Sequence, residues 1–347
     1  MTDFQQIIKS WYLANKRDLP WRETKNPYII WLSEIILQQT RVAQGLSYYE
    51  KFIRHYPTVR DLAAASEQEV LADWQGLGYY SRARNLHATA KQISTDFDAV
   101  FPTDFKSILK LKGIGEYTAS AIASFAYDLP YAVVDGNVYR VLSRLFDIDL
   151  PIDSTEGKKQ FSALANELID KQDPGIFNQA MMEFGAIQCI PGKPLCVNCP
   201  LIHECKSFQL GVVSNRPVKK GKTKVRNRYF LYLIFWNSES KTFYLRKRTE
   251  KDIWQELFEF PMLEFDSEQA CTEYINSISS QIKFISPAQK HILSHQHIYG
   301  RFAFVTNADL LNEFEDLIEL SFEELGSYPL PRLIDRFIEN NYSLFNS

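Results

Sequence analysis

Residues 111–138 read LKGIGEYTASAIASFAYDLPYAVVDGNV, and the fold of the first part of the chain turns on them. Leu111-Lys112-Gly113-Ile114-Gly115 lies between a helix that ends near Leu111 and another that starts near Glu116. Its glycines let the backbone turn tightly and approach a ligand closely. The first amides of the second helix point outward and favour an anion. Such a hairpin between helices fits a nucleic-acid phosphate without reading sequence, and it also serves as a plain helix–helix turn. Asp135 follows in Val133-Val134-Asp135-Gly136-Asn137-Val138, at the mouth of a helix that starts near Asn137. It is either the N-cap of that helix or a carboxylate kept for chemistry. Glu34 poses the same choice inside Trp31-Leu32-Ser33-Glu34-Ile35-Ile36-Leu37, an otherwise apolar helical run. Burial there would raise its pKa and suit it to general-acid work.

Working outward, the first 210 residues read as nearly all helix. Tyr28 to Tyr56 keeps apolar residues at helical spacing, opened by Pro27 and closed by Pro57. Ser66 and Glu69 form a capping box. Tyr80 to Ile93, Glu116 to Ala126 and Val138 to Phe146 are also helical in period. Later the texture changes. Tyr229 to Trp236 and Thr242 to Arg248 are strand-like runs around Asn237 to Ser240, which predicts a hairpin. Cys271 to Ser279 reads as helix, Phe302 to Thr306 as strand and Leu330 to Tyr342 as a closing helix.

The 347 residues exceed one ordinary domain, and 45% apolar residues suffice for real cores. The net charge of −3 is unevenly spread: about −2 over residues 1–211 and −8 over 229–347. Val212 to Arg228 carries seven basic residues and no acidic one. That segment is a solvated tether or a strap on DNA phosphates. No signal segment or apolar stretch of transmembrane length is read, so the expectation is a cytoplasmic protein without membrane contact. Four of the five cysteines, Cys189, Cys196, Cys199 and Cys205, fall within 17 residues as C-x6-C-x2-C-x5-C. In a reducing compartment that cluster holds a metal rather than disulfides. A single C-x2-C knuckle leaves zinc open, while four close thiolates suit a 4Fe-4S cluster better.

Further motifs are Pro20-Trp21-Arg22, then Leu37-Gln38-Gln39-Thr40 after Glu34, and Gly76-Leu77-Gly78-Tyr79-Tyr80-Ser81-Arg82-Ala83-Arg84-Asn85-Leu86. With the hairpin, the Asp135 segment and the cysteine loop, they make the chain resemble the endonuclease III superfamily. Within it the chain is similar to MutY-type adenine DNA glycosylases over essentially its whole length. The resemblance implies a multidomain protein. An all-α helix-hairpin-helix glycosylase domain with the iron–sulfur loop spans 1–211, a basic linker 212–228 and an α/β Nudix-like lesion-recognition domain 229–347. The Nudix hydrolase box is not found in that last part, which instead carries Trp254-Gln255-Glu256-Leu257-Phe258-Glu259-Phe260-Pro261 and Leu293-Ser294-His295.

The resemblance also assigns roles. Glu34 is the acid that protonates a flipped-out adenine, and Asp135 stabilises the cationic sugar. Asn137 orients Asp135 or the water, and Tyr117 stands where strand-cutting relatives place a lysine nucleophile. Arg22, Gln38, Gln39, Thr40, Tyr79, Gly113 and Gly115 contact DNA. Leu293, Ser294 and His295 meet 8-oxoguanine, with Leu293 replacing the family's usual Phe, so an aliphatic wedge stands where a ring would stack. The implied partner is double-stranded DNA with A:8-oxoguanine or A:G mispairs, bound by a monomer. Two other readings remain: a bifunctional glycosylase/lyase, against which Tyr117 speaks, and a non-catalytic DNA-binding repair factor, which has no need of both carboxylates.

Overall fold

The computed structural model describes residues 2–221 and 225–345. Two compact units emerge, residues 1–64 with 85–221, and residues 65–84 with 222–347. This differs from a simple division near residue 211. The stretch 65–84 joins the second unit because its side chains bond there: Gln68 donates to the Ser327 carbonyl, Gln75 accepts from the Leu330 amide and Arg84 donates to the Gln255 carbonyl.

The first unit is helical. One of its cores gathers Ile8 and Tyr12 of helix Thr2–Asn15, Val138, Val141 and Leu142 of helix Gly136–Leu145, Phe161 of helix Thr155–Leu168 and Phe177 of helix Pro174–Glu183. The run read as one helix from Tyr28 to Tyr56 is two, Pro27–Leu37 and Val42–His55. Gln39 adopts a left-handed φ of 55° between them. No proline or glycine announces that break, and the apolar spacing runs on through it, so periodicity misses it. The capping box at Ser66 and Glu69 is formed in both directions.

The second unit is a two-sheet α/β fold. In chain order the strands are β1 Arg226–Ile234, β2 Thr242–Lys247, β3 Phe258–Glu259, β4 Met262–Phe265, β5 Ile282–Ile285, β6 Gln289–Ile292, β7 Gln296–Val305 and β8 Leu317–Ser321. β1 pairs antiparallel with β4 and parallel with β7, while β5 and β6 pair with β7. β2 belongs to the other sheet, between β3 and β8. The expected hairpin of β1 and β2 is therefore wrong: only the isolated bridge Asn237–Thr242 joins their ends. Along β1 side chains alternate between faces. Leu231 and Leu233 pack with Cys271 and Ile275 of helix Glu268–Ser277. On Phe302 of β7, Tyr232 stacks at 4.9 Å, as does Phe337 of helix Arg332–Asn340 at 3.9 Å.

The basic segment is less free than its sequence implies. Arg216 pairs with Asp147 at 3.0 Å. Arg228 is 6% exposed and bonds Glu264 at 2.5 Å and Asp252 at 2.7 Å. A guanidinium buried against two carboxylates is not available to a phosphate. Lys222 and Lys224 lie outside the described residues.

Candidate active site

Helix Pro27–Leu37 begins with the Asn26 side chain accepting from the Tyr28 amide and Pro27 in its first turn. It packs against helix Glu116–Tyr127. Residues 30–36 are buried, so the one carboxylate among them, Glu34, has to find a partner. That partner is Tyr117, whose hydroxyl donates to Glu34 Oε2 at 2.5 Å. Glu34 is 7% exposed. Burial pushes its pKa up to about 7; the Tyr117 bond opposes the rise and the Asp135 charge adds to it. Burial and these same carboxylates hold the Tyr117 hydroxyl firmly protonated.

Asp135 fills both roles that its sequence allowed. It is the N-cap of helix Gly136–Leu145, its Oδ1 accepting from the amides of Asn137 at 2.9 Å and Val138 at 2.8 Å. Its Oδ2 accepts from the Asn137 side chain at 2.7 Å and the residue still lines the same cavity as Glu34. Burial pushes the Asp135 pKa up as well, against the pull of these bonds. The two carboxyls differ in donors: three reach Asp135 and one reaches Glu34. Hydrogen bonds to the ionised form favour it, so Asp135 is the better anion of the pair.

The cavity between them measures about 460 Å³ and is bordered also by Arg22, Thr40, Tyr117 and Asn137. Gln38 donates to Thr118 at 3.3 Å, and Gln39 is exposed on its left-handed turn. Arg22 is committed within the protein: with Arg17 it grips Glu183, at 2.7 and 2.6 Å. Burial works against that carboxylate's charge, but the two guanidinium bonds outweigh it and hold its pKa at about 2.

Sequence reasoning missed Glu183, Arg140 and Gly185. Arg140, 9% exposed, donates to Asn137 Oδ1 at 2.8 Å and to the carbonyls of Gly185 at 2.6 Å and Cys189 at 2.7 Å. Its position one turn after Asn137 was the available signal, since residues three apart meet on a helix. Gly185 starts no turn with positive φ; it is small because Asn137 presses on it. A Cβ there would stand 2.6 Å from Asn137 Cβ and 2.8 Å from its carbonyl oxygen. Gly185→Ala is expected to push Asn137 and the Asp135 carboxylate aside and slow the chemical step about a hundredfold, with DNA affinity kept. An unchanged single-turnover rate would refute that role.

The hairpin forms between helices Phe105–Leu109 and Glu116–Tyr127. Gly113 has a φ of 74°, and a Cβ on it would meet Asn85 Cβ at 2.6 Å. Gly115 is exposed and caps the second helix with no side-chain bond, which leaves its first amides for an external acceptor.

In the second unit, Tyr79, Leu293, Ser294 and His295 border one cavity of about 390 Å³, together with Trp254 and His291. Leu293 to His295 lie in the tight turn between β6 and β7, closed by the Leu293 amide on the Gln296 carbonyl at 2.8 Å. That hairpin was not legible: only the far end of β7 was read as strand. The Tyr79 and Ser294 hydroxyls bond each other at 2.5 Å.

Cys189, Cys196, Cys199 and Cys205 border one pocket with Arg144, Leu195 and Phe208. None is in a disulfide. Arg144 donates to Cys189 Sγ at 3.3 Å. Burial, and to a smaller extent the neighbouring sulfurs, push the Cys199 thiol up to about 11. Among the described residues, no three or more His, Cys, Asp or Glu side chains are arranged to hold a single metal ion.

A hairpin with free helix-start amides and two carboxyls, Glu34 buried and Asp135 partly so, lining one open cavity is the arrangement of a base-excision class of DNA repair protein. Residues 32–171 match the HhH-GPD superfamily base excision DNA repair protein model, and residues 231–340 match a NUDIX domain model. The adenine DNA glycosylase of Buchnera aphidicola subsp. Acyrthosiphon pisum is 33% identical over 344 residues, 97% of each chain. That of Homo sapiens is 43% identical over 218 residues, 60% of this chain and 40% of the human one. A solved thermostable thymine-DNA glycosylase superposes with a TM-score of 0.56 and 30% identity, over 60% of this chain and 96% of its own. The chain belongs to the adenine DNA glycosylase family.

Proposed function

We propose that this enzyme hydrolyses the N-glycosidic bond of adenine mispaired with 8-oxoguanine or guanine in duplex DNA, without cutting the strand. One observation carries the chemistry: Glu34, buried and bonded to Tyr117, shares its cavity with the triply hydrogen-bonded Asp135.

Adenine must leave the base stack to reach such a cavity, at a cost of a few kcal/mol. Protonated Glu34 gives its proton to adenine N7. The C1′–N9 bond then breaks, its electron pair leaves with the base, and the sugar becomes an oxocarbenium ion. Asp135, ionised, stabilises that cation across the cavity, as one carboxylate does in glycoside hydrolysis. Water adds to C1′ and returns a proton to the pair. Asn137, held by Arg140, fixes the orientation of Asp135. Tyr117 offers no amine for a Schiff base, which favours hydrolysis over the lyase reading.

Cys189, Cys196, Cys199 and Cys205 would hold a 4Fe-4S cluster. The four cysteines line one pocket, and four thiolates are the donor set such a cluster takes. Bound there it would tie the 189–205 loop together beside Arg140 and Arg144. Protein purified without oxygen is expected to be brown, with four irons per chain, and Cys199→Ser to lose the colour. Colourless protein carrying stoichiometric zinc would refute the assignment. The reading includes a monomer acting on cytoplasmic DNA.

The deciding assay measures base release from duplexes with A opposite 8-oxoguanine, G or T, before and after alkali. Strand breaks that appear only after alkali, fastest opposite 8-oxoguanine, are expected. Breaks without alkali, with efficient borohydride trapping, would favour the lyase.

A further inference from the structure

Tyr79 sits in an unusual backbone. Gly76, Gly78 and Tyr79 have φ values of 97°, 74° and 49°. Glycine adopts such angles freely, but a tyrosine does so only at an energetic cost. The strained tyrosine is also 51% exposed, so it is not held there as a core residue. Strain of this kind persists only where the surroundings over-determine it.

The Tyr79 hydroxyl is bonded to Ser294 at 2.5 Å, and two further neighbours hold the backbone before it. Trp74, fully buried, donates its indole N–H to the Gly78 carbonyl at 3.1 Å. Arg82 donates to the same carbonyl at 3.2 Å. The Arg82 guanidinium lies over the Trp74 ring at 5.1 Å and the Tyr79 ring at 5.7 Å. All three residues belong to the second unit. Indole, guanidinium and phenol thus form a stack that ends in an exposed ring, and the peptide before that ring is held by two donors.

We propose that Trp74 and Arg82 are positioning residues that lock Tyr79, before DNA arrives, as a rigid platform for the base opposite the adenine. This rests on the reading of Tyr79 as a DNA contact. Pre-ordering removes a binding cost, because a free tyrosine rotamer and a relaxed turn would both be frozen on contact. Its benefit falls on recognition of the partner base rather than on bond cleavage.

Arg82→Ala and Trp74→Phe are the test variants, and Trp74→Phe changes no charge, so its loss cannot come from a missing phosphate contact. Each is expected to weaken binding of an A:8-oxoguanine duplex about tenfold, as loss of one hydrogen bond or cation–π contact implies. The single-turnover rate at saturating DNA is expected to hold in both, while Trp74→Phe, made at a fully buried ring, is expected to lower the melting temperature and Arg82→Ala to change it less. The double variant Arg82→Ala/Tyr79→Ala is expected to bind no worse than Tyr79→Ala alone, since coupled residues are not additive. Additive losses, or a fall in the saturated rate instead of in affinity, would overturn the clamp. If Tyr79→Ala itself leaves binding unchanged, the underlying reading of Tyr79 fails, a different result from additivity.

Discussion

Glu34→Gln is expected to reduce adenine release by about a thousandfold, within the range of a lost general acid, while making the protein harder to unfold above pH 7. Gln keeps the shape and can still accept from the Tyr117 hydroxyl, so the cavity stays formed. It has no proton to give to adenine N7. The stability sign follows from the raised pKa of about 7 in the folded state against an ordinary value of 4.5. Between those values the folded protein binds more protons than the unfolded chain. Stability from this site is therefore complete below about pH 4.5 and falls as pH rises through 7, by about 3 kcal/mol in all. Gln escapes that loss. The melting temperatures of the two proteins should be close at pH 5, and the variant's should be higher at pH 8. The wild-type rate should decline above about pH 7 as Glu34 ionises. A flat rate profile to pH 9, or an equal melting difference at both pH values, would remove Glu34 as the acid.

Residues that carry chemistry by their type were visible in the chain. A carboxylate in an apolar helix and four close cysteines each break a local pattern, and a broken pattern can be read without a fold. Asp135 fits an ordinary N-cap and stood out only beside the hairpin and the cysteines. Arg140, Glu183 and Gly185 break none. An arginine on a helix is ordinary until a carbonyl from a distant turn meets it, and Gly185 matters only because Asn137 presses on it. The same limit explains the second unit. β1 takes its parallel partner from β7, Arg226 lying beside Gln296, not from the strand that follows it. Pairing at that separation leaves no local trace, so nearness in sequence suggested the wrong hairpin. The basic segment misled for a related reason: formal charge does not reveal that Arg228 is buried between Glu264 and Asp252.

Asp135→Asn is expected to lose at least about a hundredfold in rate, and its structural cost is predictable bond by bond. Asparagine is as good an N-cap as aspartate, so its oxygen would keep the amides of Asn137 and Val138. The second oxygen becomes an amide, and it then faces the Asn137 side-chain amide, which donates to it in the wild type at 2.7 Å. Donor would meet donor. Asn137 cannot flip to cure this, because its own oxygen accepts from Arg140 at 2.8 Å, and flipping would set a second donor pair there. Arg140 is in turn fixed on the Cys189 and Gly185 carbonyls. The mismatch therefore has no local escape and should destabilise the first unit by about 1–2 kcal/mol, the cost of one buried unsatisfied donor. The paired substitution Asp135→Asn/Asn137→Asp restores a donor–acceptor contact within the pair. It moves the carboxylate next to Arg140, and should recover melting temperature but not activity. Recovery of both would mean that any carboxylate in the pair suffices and that the position of Asp135 is not what stabilises the sugar cation.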